Sequence, residues 1–170
     1  NKQPWAFVVV DDRTVLDKLA AELPYAKMTA QAPLAIVVCG DLSKALNGEK
    51  DRYWMLDCSA ASENLLLAAE SMGLGAVWTA VYPENDRIAK VRSVLSLPDH
   101  IIPFNLIPVG YPQHREESKD KFKTENIHFH SFIVNFPQSL AASSSFFLVF
   151  SILFLALSKV SPTSSALSSI

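Results

Sequence analysis

The chain has 170 residues, enough to bury one hydrophobic core, so a single main domain is the expectation. Its 15 Lys and Arg against 17 Asp and Glu leave a formal charge of −2 with no basic run, which argues against a nucleic-acid partner. Cys39 and Cys58 lack the close Cys/His spacing of a metal site and read as two reduced, buried thiols of a cytoplasmic protein.

Trp5 to Val10 is a β-rich run ended by Asp11 and Asp12. Thr14 is the expected cap of a helix to about Glu22, with Val15, Leu16 and Leu19 on its inner face. Pro24 stops that helix, and a short helical piece extends to Gln31. Leu34 to Cys39 is a continuous apolar run between Pro33 and Gly40, which predicts a buried strand. A polar loop follows from Leu42 to Lys50, with Asn47-Gly48 at its turn.

From Asp51 the chain opens with charges and then runs as a helix to Met72. Trp54, Cys58, Ala61, Leu65, Ala68 and Met72 are spaced alternately four and three apart, which predicts one apolar stripe. Leu56, Ala60 and Leu67 make a second apolar face. A helix apolar on most sides is expected in a large core or at a subunit interface. Gly73 and Gly75 close it, and Ala76 to Tyr82 continues as one apolar segment.

Pro83 to Asp86 opens another helix, carrying Ile88, Val91, Val94 and Leu95. Pro98 and Pro103 bracket a predicted loop, and Phe104 to Val109 is a third strand. Gly110-Tyr111-Pro112 turns out of it into a charged, exposed loop from Gln113 to Lys123, with a short extended ending from Thr124 to Phe132. Strands separated by helices around one long central helix predict an α/β or α+β sandwich. His100, His114, His128 and His130 are scattered; only the last two are close, with no third ligand, so no metal is expected.

The composition changes at Ser131. The last forty positions carry one charge, Lys159, and are crowded with serine. Phe146 to Leu157 is the most apolar run, but its twelve residues fall short of the about 20 that cross a bilayer. Residues 131–170 are therefore read as sequence foreign to the fold, with a marginal membrane anchor as the alternative, and residues 1–130 as the main domain.

Three stretches in order carry a resemblance. They are NKQPWAF at Asn1 to Phe7, NLLLAAESMGLGAVW from Asn64 to Trp78, and VGYP at Val109 to Pro112 followed by Lys119, Lys121 and ENIH. Together, over roughly the first 130 residues, they resemble the FMN-dependent nitroreductase family. The resemblance implies an α+β sandwich with a mixed, mostly antiparallel sheet flanked by helices and a long central buried helix. It also implies an intimate homodimer with FMN sites at the interface. The implied activity is that of an NAD(P)H-dependent flavin oxidoreductase, passing hydride by a ping-pong route to nitroaromatics, quinones or similar small-molecule acceptors. Because the flavin carries the redox step, no catalytic side chain and no metal are expected.

The site residues implied by the resemblance are all cofactor-binding. The amides of Asn1 and Gln3 suit the pyrimidine edge of a flavin, commonly that of the partner subunit. The backbone of Thr79, Ala80 and Val81 is expected to run along the ring, with an N–H facing N5. Lys119 and Lys121 are expected at the phosphate. Lys121 stands where the family's Lys-x-Arg has arginine and so lacks the bidentate fork. A further N-terminal helix with an Arg-x-x-x-Arg-type segment is expected ahead of Asn1. Taken without the resemblance, the same residues read as a polar loop, a buried strand and a solvated charged loop. A flavin-binding homologue without turnover, or a protein tethered through its tail, are the alternative functions.

Overall fold

A computed structural model describes residues 2–46, 52–114, 117, 119–123 and 126–128. The first apolar run forms strand β1, Trp5–Val10, and helix α1, Arg13–Glu22, follows. The cap of α1 is Asp12, not Thr14: Asp12 Oδ1 accepts from the Val15 N–H at 3.0 Å. Asp12 has the extended backbone that a cap requires, whereas Thr14 already lies inside the first turn. A 3-10 turn at Lys27–Ala30 leads to β2, Leu34–Asp41, and then to the long helix α2, Tyr53–Ser71. Two short strands, β3 at Gly75–Ala76 and β4 at Thr79–Ala80, precede helix α3, Asn85–Leu95, and the central strand β5, Ile101–Gly110.

The sheet runs β1-β2-β5, with β3 and β4 both on the far edge of β5, and every one of these pairings is antiparallel. Side chains alternate across the strands, so the two sheet faces feed two cores. Val37, Cys39, Val81 and Leu106 pack with Leu16 and Leu19 of α1 and Val91 of α3. Val38, Phe104 and Ile107 pack with Trp54 and Cys58 of α2. Each fully buried leucine here contributes about 1.5–3 kcal/mol relative to exposure. The expected α+β sandwich is the observed one.

Local corrections have physical causes. The predicted loop between Pro98 and Pro103 is shorter, because β5 starts at Ile101 and carries Pro103 within it. The apolar segment Ala76 to Tyr82 divides between β3 and β4. β3 and β4 share a single register along β5, but Pro108 stands opposite Val77 and has no N–H to continue the ladder. On α2 the buried line is Trp54, Cys58, Ser62 and Ala69, with Leu65 half-buried; Ala68 and Met72 are exposed. A strict four-three alternation drifts off the 3.6-residue period, and Ser62 is a polar residue at a buried position, outside any apolar pattern. Leu56 at 66% and Leu67 at 60% exposure show that no described part of this chain covers the second apolar face of α2.

The chain divides into two compact units, Asn1–Gln113 and His114–Ile170. The apolar run at Phe146 to Leu157, and most of the predicted extended ending, lie outside the described residues. No helix among the described residues is long and apolar enough to cross a membrane.

Two contacts seat α2 and the N-terminal segment on the sheet. At Gly40 a Cβ would lie 2.3 Å from Trp54 Cε3, so the indole lies where only glycine leaves room. At the end of β2 the Asp41 N–H donates to the Pro4 carbonyl at 2.9 Å. The Asp41 carboxylate accepts from the Ser43 N–H at 3.1 Å and from the Ser43 hydroxyl, and pairs with Lys44 at 2.9 Å. The Ser43 hydroxyl first, then Lys44, hold its carboxyl below the usual range.

Gly40→Ala is expected to lose about 1–3 kcal/mol in urea unfolding, the usual cost of overpacking a filled site. Asp41→Asn tests the carboxylate. A lowered folded-state pKa stabilises above the unfolded value of about 3.9 and is lost as pH falls through the folded value. The variant should therefore melt below the parent at neutral pH, and the two melting temperatures should converge in acid.

Candidate functional site

Among the described residues strand β4 has one neighbour, β5. Thr79 faces Leu106 and Ala80 faces Asn105 on β5, while the Val81 and Tyr82 N–H groups both donate to the Phe104 carbonyl, at 3.2 and 2.9 Å. In an antiparallel ladder hydrogen-bonded and non-bonded pairs alternate. With Val81 bonded to Phe104, Ala80 falls in a non-bonded pair, and its N–H and C=O point away from β5. The carbonyl confirms the direction, because Arg87 Nη1 donates to it at 3.1 Å. Ala80 is exposed and has only a methyl group to obstruct an approach to its peptide. Its neighbours are committed inward: Val81 is fully buried, and Thr79 Oγ1 donates to the Leu106 carbonyl at 2.6 Å.

Beneath this edge lies a buried polar bridge. Asn105 Nδ2 donates to Ser62 Oγ at 2.7 Å, and Ser62 Oγ donates to the Cys58 carbonyl at 2.7 Å. Asn105 Oδ1 is buried without a hydrogen-bond partner. Aromatic rings close the adjoining end of α2: Trp54 meets Tyr82 edge-on at 5.0 Å, and Trp78 meets Phe104 at 5.5 Å. Burial pushes the Cys39 and Cys58 thiols up to about 12. Both stay protonated at neutral pH and offer no thiolate nucleophile. Among the described residues no three His, Cys, Asp or Glu side chains gather as a metal site.

The remaining predicted residues lie elsewhere. Gln3 is exposed and holds a left-handed backbone at φ 46°, an uncommon conformation for a residue with a side chain. Its neighbour Pro4 is fully buried and tied to Asp41. Gln3 precedes β1 and Ala80 lies in β4, and β1 and β4 flank the β2–β5 pair on opposite sides. One chain does not bring them together. Asn1 lies outside the described residues; Lys119 and Lys121 are exposed and belong to the second unit.

Sequence reasoning passed over Arg87, Asn105 and Ser62. Signals existed for two of them. Asn105 is the one polar residue in the run Ile101 to Val109, and Arg87 sits in the first turn of a helix, where the dipole disfavours a cation. Ser62 gave no such signal, because a serine among the small residues of α2 looks like any other.

Comparison with known proteins agrees with this architecture. The sequence model described as "Nitroreductase family" matches residues 17–111, more than half of the chain. A protein of Methanothermobacter thermautotrophicus, provisionally named an NADH dehydrogenase/NAD(P)H nitroreductase, is 46% identical over 129 residues. That match takes in 75% of this chain and spans 65% of the relative's length. A crystal structure from Parabacteroides distasonis with the same provisional name superposes with a TM-score of 0.71 at 56% identity, covering 77% of this chain and 75% of that one. An FMN-dependent nitroreductase of Clostridium difficile superposes with a TM-score of 0.69 at 27% identity, over 76% of this chain and 77% of that one. With a match of this breadth in both sequence and backbone, the chain belongs to the nitroreductase family.

Proposed function

We propose that this chain is an NAD(P)H-dependent flavin oxidoreductase that binds FMN against the outer edge of β4. The observation that carries the reading is Ala80: its N–H points out of the sheet at an exposed edge, and its small side chain leaves that donor accessible. Such a backbone donor suits the edge of a planar heteroaromatic ring and requires no particular side chain. FMN, when bound, supplies the redox chemistry, taking hydride from NADH or NADPH and passing it in ping-pong order to a nitroaromatic, quinone or activated alkene.

The protein's part is to bind and orient. Ala80 presents the donor, the buried Asn105–Ser62 bridge supports the strand beside it, and Gln3 offers an exposed amide. The family resemblance assigns the phosphate to Lys119 and Lys121, which belong to the second unit. The placement of Gln3 and Ala80 on opposite sides of the β2–β5 pair supports a homodimer in which one ring edge receives Gln3, and Asn1 with it, from the second copy. The apolar face of α2 at Leu56 and Leu67 is the surface that such a partner would cover.

The visible spectrum of the purified chain with FMN, before and after NADH or NADPH without oxygen, tests the proposal. A bound flavin band that bleaches is the expected result. A band that stays marks a flavin-binding homologue without turnover, and absence of any bound flavin refutes the reading. Ala80→Pro tests the donor. Proline is tolerated on an edge strand where the N–H faces outward, so the fold should persist while flavin reduction slows about tenfold, the cost of one hydrogen bond. Bleaching at the parent's rate would exclude the Ala80 N–H from the site.

A further inference from the structure

We infer that Arg87 is a positioning residue for this edge: its guanidinium, held between the Ala80 carbonyl and the Tyr25 ring, fixes the outer peptide of β4 and places a positive charge beside it. The inference rests on the reading that the Ala80 N–H meets bound FMN.

Three observations converge on Arg87. It lies in the first turn of α3, where the positive end of the helix dipole disfavours a cation, so helix stability does not explain it. Its Nη1 donates to the Ala80 carbonyl at 3.1 Å, and its Cζ stands 5.2 Å from the centroid of the Tyr25 ring. Acidic side chains lie close, with Glu22, Glu84 and Asp86 lining the same cleft. Asp86 is paired with Lys90 at 3.0 Å, whereas Arg87 reaches past them to a backbone carbonyl.

The clamp matters because of what it holds. β4 is two residues long and, among the described residues, has a strand on one side only, the kind of element that frays. In a non-bonded pair the N–H and C=O of one residue point the same way. Holding the Ala80 carbonyl therefore also fixes the direction of the N–H beside it. The charge adds a second effect. A cation at this edge favours electrons arriving on a ring seated there, since the two attract. A planar guanidinium can stack on Tyr25 and donate in its own plane at once, while the ammonium of lysine keeps the charge but not the fork.

The full chain loaded with FMN provides the test, using the parent, Arg87→Ala, Arg87→Lys and Arg92→Ala. Arg92 is the control on the same helix, donating to the Pro98 carbonyl at 2.7 Å. Anaerobic stopped-flow bleaching at saturating NADH or NADPH, the flavin midpoint potential and the FMN Kd are measured for each. Arg87→Ala should bleach about tenfold more slowly, the loss of one charge-assisted hydrogen bond, and its midpoint potential should fall. Arg87→Lys should return the potential towards that of the parent while bleaching at an intermediate rate. Arg92→Ala should match the parent in both.

If both Arg87 variants match the parent in rate and potential, or Arg92→Ala loses as much as Arg87→Ala, the inference is overturned. If Arg87→Ala does not fold, Arg87→Lys decides: a rate equal to the parent's rejects the clamp. A parent chain that binds no FMN instead removes the underlying reading, an outcome distinct from a working parent with indifferent Arg87 variants.

Discussion

The bulge at Phe104 is the constraint on which the described fold depends. β2 pairs Val38 with Asn105 and Cys39 with Pro103, which leaves Phe104 as the extra residue on β5. An extra residue breaks the strict alternation of side chains and turns two neighbours towards one face. Phe104 thereby joins the aromatic cluster with Trp54, Trp78 and Tyr82, while Asn105 reaches Ser62 on α2. The same residue offers its carbonyl to Val81 and Tyr82, which ends β4 just beyond Ala80. The position of the exposed edge follows from a register change in the middle of the central strand.

Packing around that point leaves little freedom. β5 is buried from Pro103 to Pro108, with β2 on one side and β3 and β4 on the other. Pro108 interrupts the outer ladder, so what might have been one long edge strand becomes two short ones. Short edges limit unwanted pairing with other chains. Here the interruption also isolates Thr79–Ala80 as a small, separately held element. Trp54 against Gly40 sets the height of α2 above the sheet, and the Asn105–Ser62 bridge fixes α2 further along. A buried polar bridge of this kind contributes more to uniqueness of packing than to net stability, because desolvation offsets much of its gain.

Much of this was legible in the residues. The runs Trp5 to Val10 and Leu34 to Cys39 announced strands through β-branched apolar residues, and the small-residue helix ending at Gly73 announced itself through period and glycine. Gly73 adopts φ 72°, the left-handed conformation for which glycine is suited. The errors lay where a choice depended on more than local pattern. Asp12 and Thr14 are both good caps, and only the backbone direction decides between them. Pro98 and Pro103 looked like equivalent loop markers, yet Pro103 sits inside β5 because its neighbours pair with Gly40 and Asp41.

The sequence by itself determined the elements, their order and the family likeness, because hydrophobic period, glycine and proline act over a few residues and do not need the rest of the chain. The resemblance also implied a flavin-contact segment at Thr79, Ala80 and Val81, without separating the three. Only the tertiary structure made that distinction, since the direction of a peptide N–H depends on which residue of β5 it pairs beside. The Arg87 guanidinium on the Ala80 carbonyl, the Asn105–Ser62 bridge across 43 positions and the uncovered face of α2 belong to the same class. Each is a relation between surfaces brought together by folding, and no local periodicity encodes such a relation.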